Sequence, residues 1–391
     1  MKIAMFSDSF FPVVGGREFV IDNLVKALAK DNDCFVCAPK MKGELAGKSD
    51  KELTYQVFRC NSLRFGKELY LSVPDKKFRE IVETKKPDII HCQTKFGLLS
   101  YAFEYRKKFN VPVVTTIHTN YREVYNRTLP KPIAKILLKR TIRQLNKCDL
   151  IFAVSNYMKS QVESLGVTKP IVLLKNGIDP YAPTLDYDKQ KELVNTKFGL
   201  DEDTFVFLFV GRINTVKNIH FQLETIKDIA GKTNKKFKFL LVGEGQDKEE
   251  YEKFCKNNNI ESFVQFAGQI TDKELLSAIY VRANIFYFAS LSDNDPLTIV
   301  EAAYNGTPSL VIENTGGAER IENLKSGFVC KNDKTEIERL MIDLLENKYD
   351  LVTIGQNAKR DIPESWQDVA VKTIIEYQKA IDNHKKTTSD K

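Results

Sequence analysis

Short apolar runs recur through this chain in two series, and that recurrence restricts the fold more than any single motif. Residues 3–6, 34–38, 55–58, 89–91, 111–117, 150–154 and 171–174 form the first series. Residues 205–210, 237–242, 263–266, 285–288, 309–312 and 327–330 form the second. Such brief, nearly unbroken runs are what strands buried on both faces of a parallel sheet require. Stretches at helical spacing lie between most of them, as with Phe19, Val20, Leu24, Val25 and Leu28. A repeated strand–helix alternation implies a parallel, doubly wound sheet. The alternation breaks once, at Asn176-Gly177-Ile178-Asp179-Pro180 and the polar stretch 181–203. A chain of 391 residues also exceeds one ordinary core. The expected architecture is therefore α/β, with two doubly wound, Rossmann-like domains over 1–180 and 181–363. Closing helices are expected near 334–346 and 350–360. A last helical stretch, 366–381 within 364–391, is expected to cross back to the first domain, with a frayed tail from His384. Ligands bind such sheets at the carboxyl ends of strands, and two in series place a cleft between them.

Charge is unevenly spread. Residues 1–180 hold 31 lysines and arginines against 18 carboxylates, whereas residues 181–391 hold 28 against 34. The first half is thus suited to an anionic partner. Its most basic stretch, 126–147, contains seven cations and no carboxylate. At helical spacing, Lys131, Lys135, Lys139, Arg143 and Lys147 fall on one arc, with Arg140 beside them. Ile133, Ala134, Leu137, Leu138 and Leu145 fall on the other, while Ile136 and Ile142 sit within the basic face. That pattern fits either a solvated surface helix or one attracted to an anionic membrane surface. Nucleic acid is disfavoured, because aromatic residues for base stacking are missing. No apolar run approaches the ~18 residues of a membrane span, and no signal-peptide core follows Met1. The seven scattered cysteines, including the Cys34–Cys37 pair, read as reduced core residues. A cytoplasmic protein, peripheral on the inner face of the plasma membrane, is the expectation.

The chemistry concentrates at strand ends. Residues 290–308 follow the run 285–288. Asp293, Asn294 and Asp295 make a turn, and Pro296 suits a first helical turn. Leu297 and Thr298 then open a helix that carries Glu301. Asp293 and Glu301 therefore flank a helix N-terminus, whose free N–H groups favour phosphate. Gly211, Arg212 and Lys217 lie at another strand–helix turn. Arg212 can grip phosphate oxygens as a fork, and Lys217 adds a point charge; together they can hold a diphosphate and offset charge on a leaving group. Gly243-Glu244-Gly245 forms a tight turn able to border a nucleotide base. Glu301 can accept from both hydroxyls of a ribose. Thr315-Gly316-Gly317 is a further flexible loop. In the first half, Gly15 and Gly16 end the first loop, which also holds Asp8. His118 ends the run 111–117, and His91 ends 89–91, followed by Gln93, Thr94 and Lys95. Either histidine can be a satisfied core residue or reach a ligand.

These segments, taken in order, resemble the family 4 glycosyltransferases, retaining enzymes of the GT-B architecture. The likeness runs through FSDSFFPVVGG, HTNY, KNGID, VGRINTVKN, LVGEG and NGTP. IHCQTKF, HTNYREVY and LTIVEA look most like members that glycosylate diacylglycerol. The resemblance implies a nucleotide-sugar co-substrate, UDP- or GDP-linked, no metal or other cofactor, and a lipid or lipid-linked glycan acceptor. By position, Arg212 and Lys217 would bind the donor diphosphate, Glu301 the ribose, Gly16 the donor phosphate and His118 the transferred sugar. Asp293 takes the place of the first glutamate of the family's two-glutamate motif. Where that family commonly has Glu-x-Phe-Gly, this chain has Asp293-Asn294-Asp295-Pro296. The carboxylate is set back by roughly one C–C bond, about 1.5 Å, and Pro296 removes an N–H. That departure motivates a second reading, a catalytically weak binding subunit of a glycosyltransferase pair. A nicotinamide dehydrogenase ranks below both, because no GxGxxG follows the first strand.

Overall fold

The structure, a computed structural model, describes every residue except 14, 42–48, 66–68, 95–96, 180 and 390–391. Lys95 and Pro180 of the sequence motifs lie outside the described residues. The chain divides into two compact units, Met1–Gly177 together with Glu364–Lys391, and Ile178–Pro363.

The first unit runs β1 (Lys2–Phe6), α1 (Gly16–Leu28), β2 (Asp33–Pro39), β3 (Gln56–Phe65), β4 (Leu69–Val73), α2 (Lys76–Lys85), β5 (Ile89–Cys92), α3 (Gly97–Phe109), β6 (Val113–Ile117), α4 (Tyr121–Thr128), α5 (Lys131–Leu145), β7 (Leu150–Ala153), α6 (Asn156–Glu163) and β8 (Ile171–Leu173). Its sheet has the order β4-β3-β2-β1-β5-β6-β7-β8. All neighbours are parallel except β3 and β4. The sequence runs predict only residues 55–58 at this edge. In fact β3 pairs with β2 through Gln56–Cys60 and then continues as an antiparallel partner of β4. The continuation is polar and holds an exposed Leu63, so it lacks the apolar signature of a central strand.

The second unit runs α7 (Tyr187–Phe198), β9 (Phe205–Val210), α8 (Ile219–Ala230), β10 (Phe237–Val242), α9 (Lys248–Asn257), β11 (Val264–Gly268), α10 (Lys273–Arg282), β12 (Ile285–Phe288), α11 (Leu297–Tyr304), β13 (Ser309–Ile312), β14 (Gly327–Cys330), α12 (Lys334–Leu345) and α13 (Leu351–Asp361). The strands are all parallel in the order β11-β10-β9-β12-β13-β14. This is the Rossmann order, with its switch point between β9 and β12. Every residue of β9 and of β12 is buried, as helices on both faces of the sheet demand.

The last helix, α14 (Trp366–Ser389), belongs to the first unit. The expectation of a frayed tail from His384 fails. His384 is buried, its Nδ1 lies 2.9 Å from Asp149 Oδ1, and its Nε2 lies 3.0 Å from Asn110 Oδ1. Higher up the helix, the Tyr377 hydroxyl lies 2.5 Å from His91 Nδ1, and Thr116 Oγ1 lies 2.7 Å from His91 Nε2. His91 is fully buried and packs on Phe152 and Tyr377. It is a core histidine that ties α14 to the sheet. All seven cysteines are free and buried. Burial first, and the charge of Asp33 second, push the Cys34 thiol up to about 12.

One buried ion pair sets the loop between β12 and α11. Arg320 Nε donates to Asp295 Oδ1 at 2.5 Å and Nη2 to Oδ2 at 2.8 Å. The side chains are 3% and 1% exposed. Asp295 is therefore neither a mere turn residue nor a cap. Nearby, a Cβ on Gly316 would lie 1.8 Å from the carbonyl oxygen of Asn294. The two loops can thus meet only if a glycine stands there.

Breaking a buried pair leaves an uncompensated charge, which costs about 3–5 kcal/mol. Arg320→Leu is expected to lower urea-unfolding stability by about that amount, and an unchanged midpoint would remove the pair from this role. Burial, with a smaller contribution from His118, lowers His91 to about 3. Below its ordinary value near 6.5 the unfolded chain binds a proton there that the folded chain does not. Stability should be full above pH 6.5 and fall as pH drops toward 3, by up to about 1.4 kcal/mol per pH unit. Urea midpoints taken from pH 7 to 5 should flatten by about one proton in His91→Gln.

Candidate active site

In the second unit the predicted residues gather at the carboxyl ends of β9 and β12. The backbone leaves β9 at Gly211 with φ +156°, and β10 at Gly243 with φ +140°. A Cβ on Gly243 would lie 1.9 Å from the Gly211 carbonyl oxygen, and one on Gly245 would lie 1.9 Å from that of Ile213. The two turns are therefore stacked backbone on backbone, which only glycine permits. A short 3-10 turn, Thr215–Lys217, follows, capped by Asn214. Asn218 adopts φ +57°, and its Nδ2 donates to Ala289 O at 3.1 Å. This fixes the turn against the end of β12.

Lys217 is brought to Asp293. Its Nζ lies 2.6 Å from Oδ1 and 2.8 Å from Oδ2, with both side chains about one-fifth exposed. The same ammonium sits 5.4 Å from the centre of the Phe288 ring. Arg212 behaves differently. It is exposed and makes no hydrogen bond or ion pair among the described residues. The turn thus offers one charge already matched by a carboxylate and one that is not. At the start of α11 no side chain caps Leu297 and Thr298, and no acidic residue occupies the first turn. The helix end therefore keeps its positive dipole and amide donors for another acceptor.

Glu301 lies one turn into α11. Tyr280, itself buried, donates its hydroxyl to Glu301 Oε2 at 2.9 Å. Burial raises the carboxyl above its usual range, and the Tyr280 bond opposes that rise. Tyr280 was not among the sequence candidates; its place in α10 reads only as one more apolar position. The same holds for Arg320. Asp293 and Asp295 are each taken up by a cation, Lys217 and Arg320 respectively.

In the first unit a second group forms at the carboxyl ends of β1, β5 and β6. His118 follows β6, and its Nε2 lies 2.7 Å from Gln93 Oε1. Burial, then the positive charge of Arg17, lowers it to about 3. The ring is neutral near pH 7 and carries its proton on Nε2, toward the Gln93 carbonyl. His91 pairs with Tyr377 of α14, and Gln93 Nε2 also lies 3.2 Å from its Nε2, so it borders this group from the core side. Gly15 is the N-cap of α1, and a Cβ there would lie 2.6 Å from Glu18 Oε2; around Gly16 the space is open. Glu18, buried, accepts from Ser9 Oγ at 2.6 Å and from Arg17 at 3.2 Å. Asp8 accepts from Thr94 Oγ1 at 2.7 Å and from the Leu98 N–H at 3.2 Å. Arg17 and Glu18 complete this group although sequence reasoning assigned them no role; their place directly after the double glycine was the available signal.

The basic stretch breaks into two helices at Leu129-Pro130, because proline cannot continue a helix from within. On α5 the buried positions are Ala134, Thr141 and Leu145. Lys131, Lys135, Lys139, Arg140 and Arg143 are exposed. Ile133, expected to face inward, is 48% exposed, and Ile136 is 66% exposed. The inward arc is narrower than the sequence implies, so two isoleucines stand among the cations.

Comparison with known proteins bears on the family and the fold. Residues 14–181 match the family described as Glycosyltransferase Family 4, and residues 190–361 match Glycosyl transferases group 1. The chain is 24% identical to the alpha-monoglucosyldiacylglycerol synthase of Acholeplasma laidlawii, over the whole of both chains. It is 26% identical to the enzyme of that name from Streptococcus pneumoniae, over 80% of this chain and 71% of that one. Among solved structures, Anabaena Alr3699/HepE in complex with UDP superposes with a TM-score of 0.77 at 18% identity, covering 97% of this chain and 100% of the other. That likeness shows the GT-B fold. No helix of the described residues is long and apolar enough to cross a membrane. With both halves of the chain matched and both sheets wound in the same manner, the chain belongs to the family 4 glycosyltransferases of GT-B fold.

Proposed function

We propose that this glycosyltransferase moves a hexose from a nucleoside-diphosphate donor, UDP- or GDP-linked, to a hydroxyl of a diacylglycerol-type membrane lipid, with retained anomeric configuration. The observation that carries the donor half is the set at the β9/β12 switch point: unpaired Arg212, Lys217 on Asp293, and the uncapped start of α11. A diphosphate is the ligand for which two cations and a helix N-terminus are complementary. Glu301, held by Tyr280, is oriented to accept from ribose hydroxyls. Asp293 is held at the same place by Lys217 and takes the role toward the sugar hydroxyls.

The reaction then runs as follows. The acceptor oxygen forms a bond to the anomeric carbon on the face from which the diphosphate departs. The bond from that carbon to the diphosphate oxygen breaks, and the acceptor proton passes to the departing phosphate. Arg212, Lys217 and the α11 amides offset the charge that develops, so the step runs without a metal ion. His118, neutral, serves as a hydrogen-bonding group against the transferred sugar and not as a proton donor. The lipid half rests on α5, whose cations and exposed Ile133 and Ile136 suit an anionic interface, and on the two synthases whose names specify a glucosyldiacylglycerol product.

Loss of one preorganised donor of this kind costs about 10²–10³ in rate. Arg212→Ala and Lys217→Ala should each lower transfer from UDP-glucose to dioleoylglycerol by about a hundredfold at unchanged melting temperature. Full activity in Arg212→Ala would overturn its assignment. Donor bound tightly with no turnover in the unaltered chain would move it to the binding-subunit reading. For the membrane, each cation near an anionic surface contributes about 1 kcal/mol. The variant combining Lys135→Gln, Lys139→Gln and Arg143→Gln should partition about a hundredfold less onto phosphatidylglycerol vesicles in flotation. Equal recovery of the unaltered chain on neutral and anionic vesicles would count against α5.

A further inference from the structure

The first unit holds a small cavity of about 290 Å³. β4 supplies Leu71 to it, α3 Ser100, α4 Tyr125, and α5 Leu137, Arg140 and Thr141. A Cβ on Gly97 would lie 2.2 Å from the Ser72 carbonyl oxygen, so β4 and the start of α3 close one side backbone on backbone. None of the residues assigned above to the donor lines it. Its volume is at the small end for ligand pockets, roughly 300–1,000 Å³.

The hydrogen-bonding groups of the walls are spent on one another. The Thr141 hydroxyl donates to Leu137 O at 3.0 Å, so Tyr125, 3.2 Å away, is the donor to Thr141 Oγ1. Gln144 Nε2 donates to Ser100 Oγ at 3.2 Å. Most of the surface turned inward is apolar. Such walls favour an occupant without polar groups, because a polar one would lose its water and find few partners.

The position of the cavity narrows that occupant to a lipid chain. On α5 the exposed Ile133 and Ile136 stand one helical turn before Leu137 and Arg140, on the same sides of the helix. The apolar strip among the α5 cations therefore runs into the cavity. On the other side the cavity reaches the group around His118. Gly97 precedes Leu98, whose N–H donates to Asp8, and Tyr125 stacks on Tyr121, three residues after His118. A lipid whose single hydroxyl enters that group must bring the nearest part of its chain out of the bilayer. Each methylene left bare in water would cost about fourfold in affinity. We propose that the cavity seats the glycerol-proximal methylenes of one acyl chain of the acceptor. The inference rests on the diacylglycerol reading of that acceptor.

Ligand-observed NMR titrations of the full chain, without donor or vesicles, test this with monobutanoyl-, monohexanoyl- and monooctanoylglycerol as soluble probes. Affinity should rise about fourfold for each added methylene. Leu137→Trp fills the cavity and should flatten that rise, at unchanged melting temperature and unchanged UDP affinity. Arg140→Trp, at an exposed position on the rim, should do the same, and it decides the matter if Leu137→Trp does not fold. No rise with chain length in the unaltered chain would overturn the proposal, as would a rise that persists in Arg140→Trp or in a folded Leu137→Trp. A rise that the variants abolish, in a chain that transfers nothing to dioleoylglycerol, upholds the apolar seat and removes the acceptor reading. Transfer to dioleoylglycerol without any such rise does the reverse.

Discussion

Asp295 and Arg320 form the contact on which the second unit's chemistry depends. Two charges removed from water are tolerated only when each meets the other with good geometry, and here the guanidinium takes the carboxylate in a two-pronged grip. The pair joins the loop that leaves β12 to the loop that leaves β13. Gly316 lets those loops touch backbone to backbone. Asp293, two residues before Asp295, is thereby delivered to Lys217, and α11 is started at the switch point with its first amides uncapped. The Asp-Asn-Asp-Pro stretch that departs from the usual family motif is thus internally consistent. Its second aspartate supplies the anchor, and the first pairs with Lys217.

Both units place polar groups at the ends of apolar strands. In the second unit, Arg212 is exposed and Lys217 lies against Asp293. In the first, burial strips charge from His118 and His91. Two histidines at neighbouring strand ends then serve different purposes because of what each meets. His118 meets Gln93 at the end of β6, while Tyr377 and Thr116 hold His91 in the core.

The parallel strands were legible because burial on both faces leaves an unmistakable apolar run; β9 and β12 are examples. Arg212, Lys217 and Asp293 could be singled out because they stand at turns where such runs end, and Glu301 because it lies one turn into the helix that follows. What escaped notice had no local signature. The polar half of β3 is an edge, where alternation weakens. Arg320 looks like any surface cation until a carboxylate 25 positions away is folded against it. Ile133 obeys helical periodicity, but the face that α5 buries is narrower than periodicity assumes. His384 sits in a charged tail, and only the approach of Asp149 and Asn110 makes it a packed residue.

The chain order has a consequence for synthesis. The second unit is an insert between the two segments of the first, and Tyr377 follows its partner His91 by 286 positions. Translation runs from the N-terminus, and domains close as units. The insert therefore has all its strands before the surrounding unit has its final helix. Until that helix emerges, His91 and Asp149 of the first unit wait without the partners, Tyr377 and His384, that they meet in the finished fold.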